Sequence, residues 1–329
     1  MDGTTGALVK IILVVFASFS RIFLASQDRD FSACRQFSRV LVIAMQKKSP
    51  FRCRCWFAIG VMLAISPALF AAEAVPPIKA LLITGGCCHD YENQKGILKL
   101  GIEARANVIV DVIYVKDSST HPALPIYGNP NYANGYDVII HDECAADISD
   151  PDVIQGILKP HQDGIPGVNL HCAMHSYRIG EFSKPVTNGA VNSHWYEYLG
   201  LQSTSHGPQE PIAIAFTDKS NAITTGLTDW TTIHEEHYNN IRIFDTAHTL
   251  ASGTQIIKNS TSEPQRTNTS VVVWTNTYKN KTRVFSTTIG HNNETVADAR
   301  YLDLVTRGLL WACDKLDADG RPKPGYAGK

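Results

Sequence analysis

Residues 167–178 read GVNLHCAMHSYR and bring His171, Cys172 and His175 within five positions. A thiol flanked by two imidazoles has three chemical readings. Cys172 is a nucleophile with a histidine base, the imidazoles hold a metal, or the grouping only packs. Three further segments gather similar side chains. In LLITGGCCHDYENQ, residues 81–94, His89 and Asp90 follow two glycines that allow a tight turn or close approach of a ligand to the backbone. No G-x-G-x-x-G is present there, so a nucleotide cofactor is not expected. In IHEEHYNN, residues 233–240, an extended chain would put Glu236 and Tyr238 on one face and Glu235 and His237 on the other. That density of donors and acceptors suits the hydroxyls of a sugar. In TTIGHNNET, residues 287–295, His291 and Asn292 follow a glycine.

Each segment also has a plain reading. Asp90 caps a helix beside a surface histidine, the IHEEHYNN stretch is an exposed polar loop, and Gly290 makes a turn capped by asparagines. Taken together, His89, His171, Glu236 and His291 form the ligand set of a divalent metal such as zinc with an open position. The same groups could act as general acid and base without metal. None has the i, i+4 spacing of a helical metal motif, so spacing leaves both open.

The surrounding pattern says what positions these residues. Residues 78–84 are continuously apolar, as in a central parallel strand, and end at Gly85-Gly86. A helix is expected over 93–106, strands over 108–115 and 136–140, and a helix from Ser149-Asp150-Pro151 to about 158. Gly164-Ile165-Pro166 then leads into a strand ending at Leu170. Alternating strands and helices argue for an α/β fold with a doubly wound, mainly parallel sheet. Such sheets bind ligands beyond the carboxyl ends of their strands. Cys88-His89-Asp90, His141-Asp142-Glu143 and the 171–175 stretch are all expected there. Short strands are expected at 212–216, 241–244, 271–274 and 283–288, with a polar surface loop over 260–270. Tyr301, Leu304, Val305, Gly308, Leu309 and Ala312 form a core-facing stripe of a last helix.

The chain has 329 residues, and the first 74 differ in character from the rest. Lys47, Lys48, Arg52 and Arg54 precede an apolar run over 56–70, followed by Ala71, Ala72 and Ala74. This is the layout of a secretory signal over 45–74. Residues 1–44 are then an upstream over-extension or an unstructured leader, with Met45 as the start. The run is too short for a good transmembrane helix. The expectation is an exported protein, periplasmic or extracellular, without membrane attachment after the signal is removed. Residues 75–329 form one domain with net charge near −6 and all twelve histidines. No basic stripe marks a nucleic-acid partner. Five cysteines remain, at 87, 88, 144, 172 and 313. An odd count without regular spacing argues against a disulfide framework, and Cys87 and Cys88 read as small buried residues.

The segments LLITGGCCHDYENQ, GVNLHCAMHSYR, IHEEHYNN and GHNNETVADARYLDLVTRGLLWA, in this order, resemble the ThuA-like (trehalose utilisation) family over nearly all of 78–316. That resemblance implies a class I glutamine amidotransferase-like, flavodoxin-like fold. It also implies catabolism of trehalose and related disaccharides through 3-keto sugars. By resemblance, His89, His171, Glu236 and His291 match recurring pocket positions, with Tyr238 and, more weakly, Asn240. Amidotransferases carry their nucleophilic cysteine on the turn after the equivalent strand. Here His171 takes that place and Cys172 falls one residue late. His291 to Glu294 resembles the amidotransferase His-x-Glu with one extra residue between.

Three functions follow. The first is an exported enzyme acting on a disaccharide or its 3-keto derivative, with His171, His291 and Glu236 catalytic. His89, His171, His291 and Glu236 would be metal ligands, and Asp90, Tyr91, His175, Tyr238, Asn240 and Asn292 would bind a small-molecule sugar. Hydrolysis, elimination and isomerisation are all compatible with it. The second is a non-catalytic carbohydrate-binding or accessory protein using the same pocket. The third, a thiol hydrolase using Cys172, is disfavoured by the turn register. The aromatic residues Tyr91, Tyr177, Trp195, Tyr196, Tyr198 and Tyr238 could stack on a pyranose or fill the core.

Overall fold

The computed structural model describes residues 75–257 and 265–328. The expected leader and signal, residues 1–74, lie outside the described residues, as does the first part of the expected 260–270 loop. Among the described residues, no helix is long and apolar enough to cross a membrane.

Strand β1 (Ile78–Gly86) is buried at all but one position because it sits between two strands. Strand β2 (Val108–Val115) pairs with one edge and β3 (Val138–Cys144) with the other, both parallel. Strand β4 (Gly167–Leu170) pairs with β3, and β9 (Thr282–Thr287) with β4, again in parallel. The remaining strands are antiparallel: β5 (Leu201–Phe216), β6 (Trp230–Ile243), β7 (Ala247–Ile257) and β8 (Arg266–Tyr278). The result is one mixed sheet of nine strands in the order β2-β1-β3-β4-β9-β8-β7-β5-β6. The expected parallel sheet thus accounts for five strands, and an antiparallel extension supplies four.

Helix α1 (Tyr91–Glu103) starts at Asp90, whose carboxylate accepts from the Asn93 amide. Helix α2 (Pro151–Asp163) has Asp150 as cap, Pro151 in its first turn and Gly164 in a left-handed conformation after its end. It outruns the expected end near 158, because Ile154, Ile157, Leu158, Pro160 and His161 form a buried face that outweighs the hydrogen bond Pro160 cannot donate. The short α3 (His194–Leu199) and α4 (Asn293–Val296) precede β5 and the last helix. That helix, α5 (Ala299–Ala312), buries the whole expected stripe from Tyr301 to Ala312. Side chains of α1 and α5 enter one apolar core with Leu82 and Phe285. Those of α2 and α3 enter another with Leu81, Ile83 and Trp195.

Three expectations change here. His141, Asp142 and Glu143 are not past a strand end; they lie inside β3 and are buried. Asp142 accepts from Thr84 Oγ1, and His141 Nδ1 bonds Glu143 Oε1 at 2.8 Å. A charged triplet reads as a loop in sequence, but here it is paired by Thr84, His161 and Tyr177 as well as within itself. Residues 266–270 are strand rather than loop, because their backbone pairs with residues 253–257 of β7. All six aromatic residues offered for sugar stacking are at most 4 % exposed and serve the cores.

Candidate functional site

The parallel strands β1, β4 and β9 end side by side with β3, and their following turns carry the histidines. Beyond β4, residues 171–175 form a 3-10 turn that begins with His171 at φ 41°. A side chain in the left-handed region is strained and projects sharply from the turn. His171, not Cys172, therefore occupies the elbow, as the register implied. Cys172 is buried against Cys144 and Tyr91, and its sulfur is disulfide-bonded to Cys144. Beyond β9, Gly290 at φ 134° brings the turn so close that a Cβ would lie 2.8 Å from Tyr301 Oη and 3.5 Å from His171 Cβ. His291 follows directly. His89 arrives from the loop after β1.

The three rings pack edge to face, with centroids 4.7 Å (His89–His171), 4.8 Å (His89–His291) and 5.5 Å (His171–His291) apart. One nitrogen from each lies within 4.8 Å of the others. His89 Nδ1, His171 Nε2 and His291 Nδ1 are all buried without a hydrogen-bond partner. Buried polar atoms are seldom left so, and unpaired ones call for an explanation.

Glu236 closes the group from β6. Its Oε2 is 3.4 Å from His171 Nε2 and its Oε1 is 3.2 Å from His291 Nδ1. Although β6 is an edge strand, the β5–β6 hairpin carries four register shifts. Irregularities of that kind bend a hairpin. Ser270 of β8 donates to the Tyr238 carbonyl and Asn240 donates to the Val271 carbonyl, which hold β6 against β8. The alternation expected for IHEEHYNN holds as far as Glu236 and Tyr238, which both meet His171.

Protonation follows from these partners. His171 Nδ1 donates to the Thr288 carbonyl at 2.6 Å, which makes Nε2 the nitrogen that bears the lone pair in the neutral ring. Burial, reinforced by the neighbouring His171 and His291 rings, pushes the His89 pKa down to about 2 despite Glu236, so His89 is neutral. Burial opposes ionisation of Glu236, but His171 and His291 together hold its carboxyl far below the usual range. Burial also lowers His291, and the adjacent Glu236 outweighs it and raises the pKa. A neutral His89 and two further imidazoles beside an ionised Glu236 carboxylate are a donor set that suits a cation.

The structure thus brings together His89, His171, His291 and Glu236 from four separate segments. The other expected residues take different places. His175 is buried behind the site, stacked on Tyr238 at 4.1 Å, with Nε2 2.9 Å from Ser203 Oγ. Tyr238 is buried between His175 and His171. Tyr91 packs with the cysteines. Asp90 lies at the rim, bonded to Asn93 and to Asn293 of α4. Asn292 donates to the His234 carbonyl. Asn240 is engaged with Val271, away from the histidine turns. Glu294 is exposed, so the carboxylate paired with His291 is Glu236 and the His-x-Glu resemblance does not extend to it.

Four contributors had no role assigned from the sequence. Glu235 is fully buried and accepts from the His291 amide at 3.0 Å, which fixes the turn. The Thr288 carbonyl orients His171. His206 Nδ1 stands 3.6 Å from Glu236 Oε1, and Gln209 Nε2 lies 2.7 Å from His291 Nε2. His206 and Gln209 sit in a polar stretch of β5 before its apolar alternation at 212–216, so only the hairpin's bend reveals them. A cleft of about 380 Å³ opens beside His89 and is lined by Asp90, Glu92, Tyr114, Lys116, Asp117 and Ser118 among others. A larger cleft of about 510 Å³ near Phe244 and Tyr278 is lined by none of the site residues.

The family model for ThuA, described as trehalose utilisation, matches residues 79–312. No curated protein matches the chain. A putative ThuA-like protein from Parabacteroides merdae ATCC 43184 is 20% identical with a TM-score of 0.52, covering 77% of this chain and 98% of that one. A putative ThuA-like protein from Bacteroides uniformis ATCC 8492 is 17% identical at a TM-score of 0.48, covering 78% and 98%. A putative GMP synthase protein from Thermoplasma acidophilum is 12% identical at 0.40, covering 73% and 96%.

Proposed function

This chain belongs to the ThuA, or trehalose utilisation, family, and from that premise we propose that it acts on a disaccharide or its 3-keto derivative through His89, His171, His291 and Glu236. The observation that carries this is the convergence of three buried, unpartnered imidazole nitrogens beside an ionised carboxylate. The same reading takes residues 75–329 as the mature domain, exported by the signal over 45–74. It takes the fold as the doubly wound amidotransferase-like class, supported by helices packed into two separate cores.

In this reading His89 Nδ1, His171 Nε2 and His291 Nδ1 hold a divalent ion such as zinc, with Glu236 as a fourth ligand or as the base beside it. Bound there, the ion would polarise a substrate oxygen. For His291 Nδ1 to be free, its Nε2–H donates to the Gln209 amide oxygen, which needs the opposite orientation of that amide and gives up its 3.4 Å contact with Glu236 Oε1. The Thr288 carbonyl and Gln209 are then the outer partners that fix the rings. Glu236 has the geometry to take a proton from the carbon next to a keto group or from water, and His206 stands where it can relay that proton toward solvent. Asp90, Asn292 and the polar wall of the neighbouring cleft meet sugar hydroxyls, while Tyr238 and His175 back the site.

The test uses untagged protein. Elemental analysis should find one transition metal per chain, lost in His171→Ala, and that variant should lose turnover of the disaccharide or its 3-keto form while keeping its circular dichroism spectrum. Full activity of His171→Ala would overturn the proposal. Calorimetric sugar binding without any product would instead establish the accessory, non-catalytic role.

A further inference from the structure

Four of the five cysteines expected to be unpaired meet at one point. The sheet order sets the ends of β1, β3 and β4 side by side, and these ends carry Cys87-Cys88, Cys144 and Cys172. Chain spacing was therefore the wrong criterion for their pairing, because neighbours in the sheet are distant in sequence. Cys87 is disulfide-bonded to Cys88, and Cys144 to Cys172. Between the two bonds, Cys87 Sγ lies 3.4 Å from Cys144 Sγ. The pairs differ in access. Cys88 is exposed and Cys87 half-buried, whereas Cys144 and Cys172 are 4 % and 5 % exposed and packed against Tyr91. Cys88 also sits at φ 81°, presenting the outer bond on a turn.

We propose that these cysteines form a thiol–disulfide relay in which the exposed Cys87–Cys88 pair passes electrons from an external dithiol to the buried Cys144–Cys172 pair. Exchange proceeds by thiolate attack on a disulfide sulfur, so access and adjacency decide which bond reacts. A thiolate of the dithiol attacks Cys88 Sγ, and Cys87 leaves as a thiolate. The second thiol of the reagent then attacks its own bound sulfur, freeing Cys88 and departing as a cyclic disulfide. Cys87 next attacks Cys144 Sγ, the bond to Cys172 breaks, and Cys172 leaves as a thiolate that takes a proton. Finally Cys88 attacks Cys87 Sγ, reforming the outer disulfide and releasing Cys144, which is protonated. Two electrons and two protons have moved from the dithiol to the buried pair. That pair ties the residue after His171 to the end of β3, so its state sets how firmly the elbow is held. The relay rests on no assumption about the sugar or the metal.

The experiment follows site-resolved thiol content in the full chain during limited dithiothreitol treatment, by alkylation and peptide mass spectrometry. In the wild type, Cys144 and Cys172 become alkylatable while the protein stays folded. In Cys87→Ser their reduction should slow at least tenfold. In Cys88→Ser the relay stops after its first internal step, so a peptide linked through Cys87 and Cys144 should accumulate with Cys172 free. Equal reduction rates of the buried pair in wild type and Cys87→Ser would overturn the relay. So would the absence of the Cys87–Cys144 peptide in Cys88→Ser, or four free thiols bound to a metal in the untreated protein. Circular dichroism of both variants separates these outcomes from misfolding.

Discussion

His171 Nε2 faces Glu236 Oε2 across 3.4 Å while its other nitrogen, Nδ1, is occupied by the Thr288 carbonyl. A lone pair and a carboxylate repel each other, so a proton or a cation belongs between them. Replacing Glu236 by Gln keeps the shape and removes the charge that either species needs. Glu236→Gln should cut turnover about 10²- to 10⁴-fold, the range for a lost acid–base group, and should lower the thermal midpoint, because the charge that His171 and His291 stabilise is gone. Steady-state turnover beside a melting curve checks both halves. Wild-type turnover would show that the carboxylate is not part of the chemistry.

Gly290 is the second lever on the site. An alanine there must adopt φ near 134° and place its Cβ against Tyr301 Oη, which is anchored in the core. Strain of this kind costs about 1–3 kcal/mol. Because His291 is the next residue, Gly290→Ala should lower both unfolding free energy and turnover. Urea denaturation and kinetics on the same preparation measure the two together, and unchanged stability would contradict the steric argument.

How much of this was legible in the sequence depended on whether the signal was local. The apolar run of β1, the Asp150-Pro151 helix start and the stripe of α5 are written in adjacent residues, and the structure matches them. His89, His171 and His291 were found because each follows a strand end in a parallel sheet, and Glu236 because IHEEHYNN crowds hydrogen-bonding groups into one short stretch. What was missed is non-local. Strand β7 has weak alternation, His206 and Gln209 reach the site only through bulges in β5, and the cysteine pairs exist because β1, β3 and β4 are neighbours. The burial of His141 and Glu143 went unforeseen for the same reason, since their partners come from α2 and the 171–175 turn's continuation.

Asp90 separates capping from recognition. Its carboxylate accepts from the Asn93 amide and side chain and from Asn293, and these bonds hold its pKa below the usual range. Asp90→Ala removes a helix cap and should cost about 1 kcal/mol. Asp90→Asn retains one of the two accepting oxygens, so it should lose less stability than Asp90→Ala while KM rises if the rim carboxylate meets a sugar hydroxyl. Equal KM in wild type and Asp90→Asn would leave this residue with the cap alone.

His161 makes the fold sensitive to acid. It is fully buried, stacked on Tyr198 at 4.3 Å, with Nε2 3.1 Å from His141 Nε2. Its Nδ1 donates to the Ile165 carbonyl, and His141 is in turn paired with Glu143. Burial first, and the charge of His141 next, push the His161 pKa well below its ordinary value, although the Ile165 bond partly opposes this. The sign then follows. Below about pH 6.5 the unfolded chain binds a proton at this site that the folded chain refuses. The stability associated with neutral His161 is therefore complete above about pH 6.5 and declines as pH falls, by at most about 1.4 kcal/mol per pH unit. His161→Phe keeps a ring against Tyr198 but cannot titrate. It should be less stable than wild type at pH 7.5, having lost two hydrogen bonds, and should lose less stability between pH 7 and pH 5. Urea midpoints at both pH values supply the comparison, and parallel declines in the two proteins would show that His161 is not the group responsible.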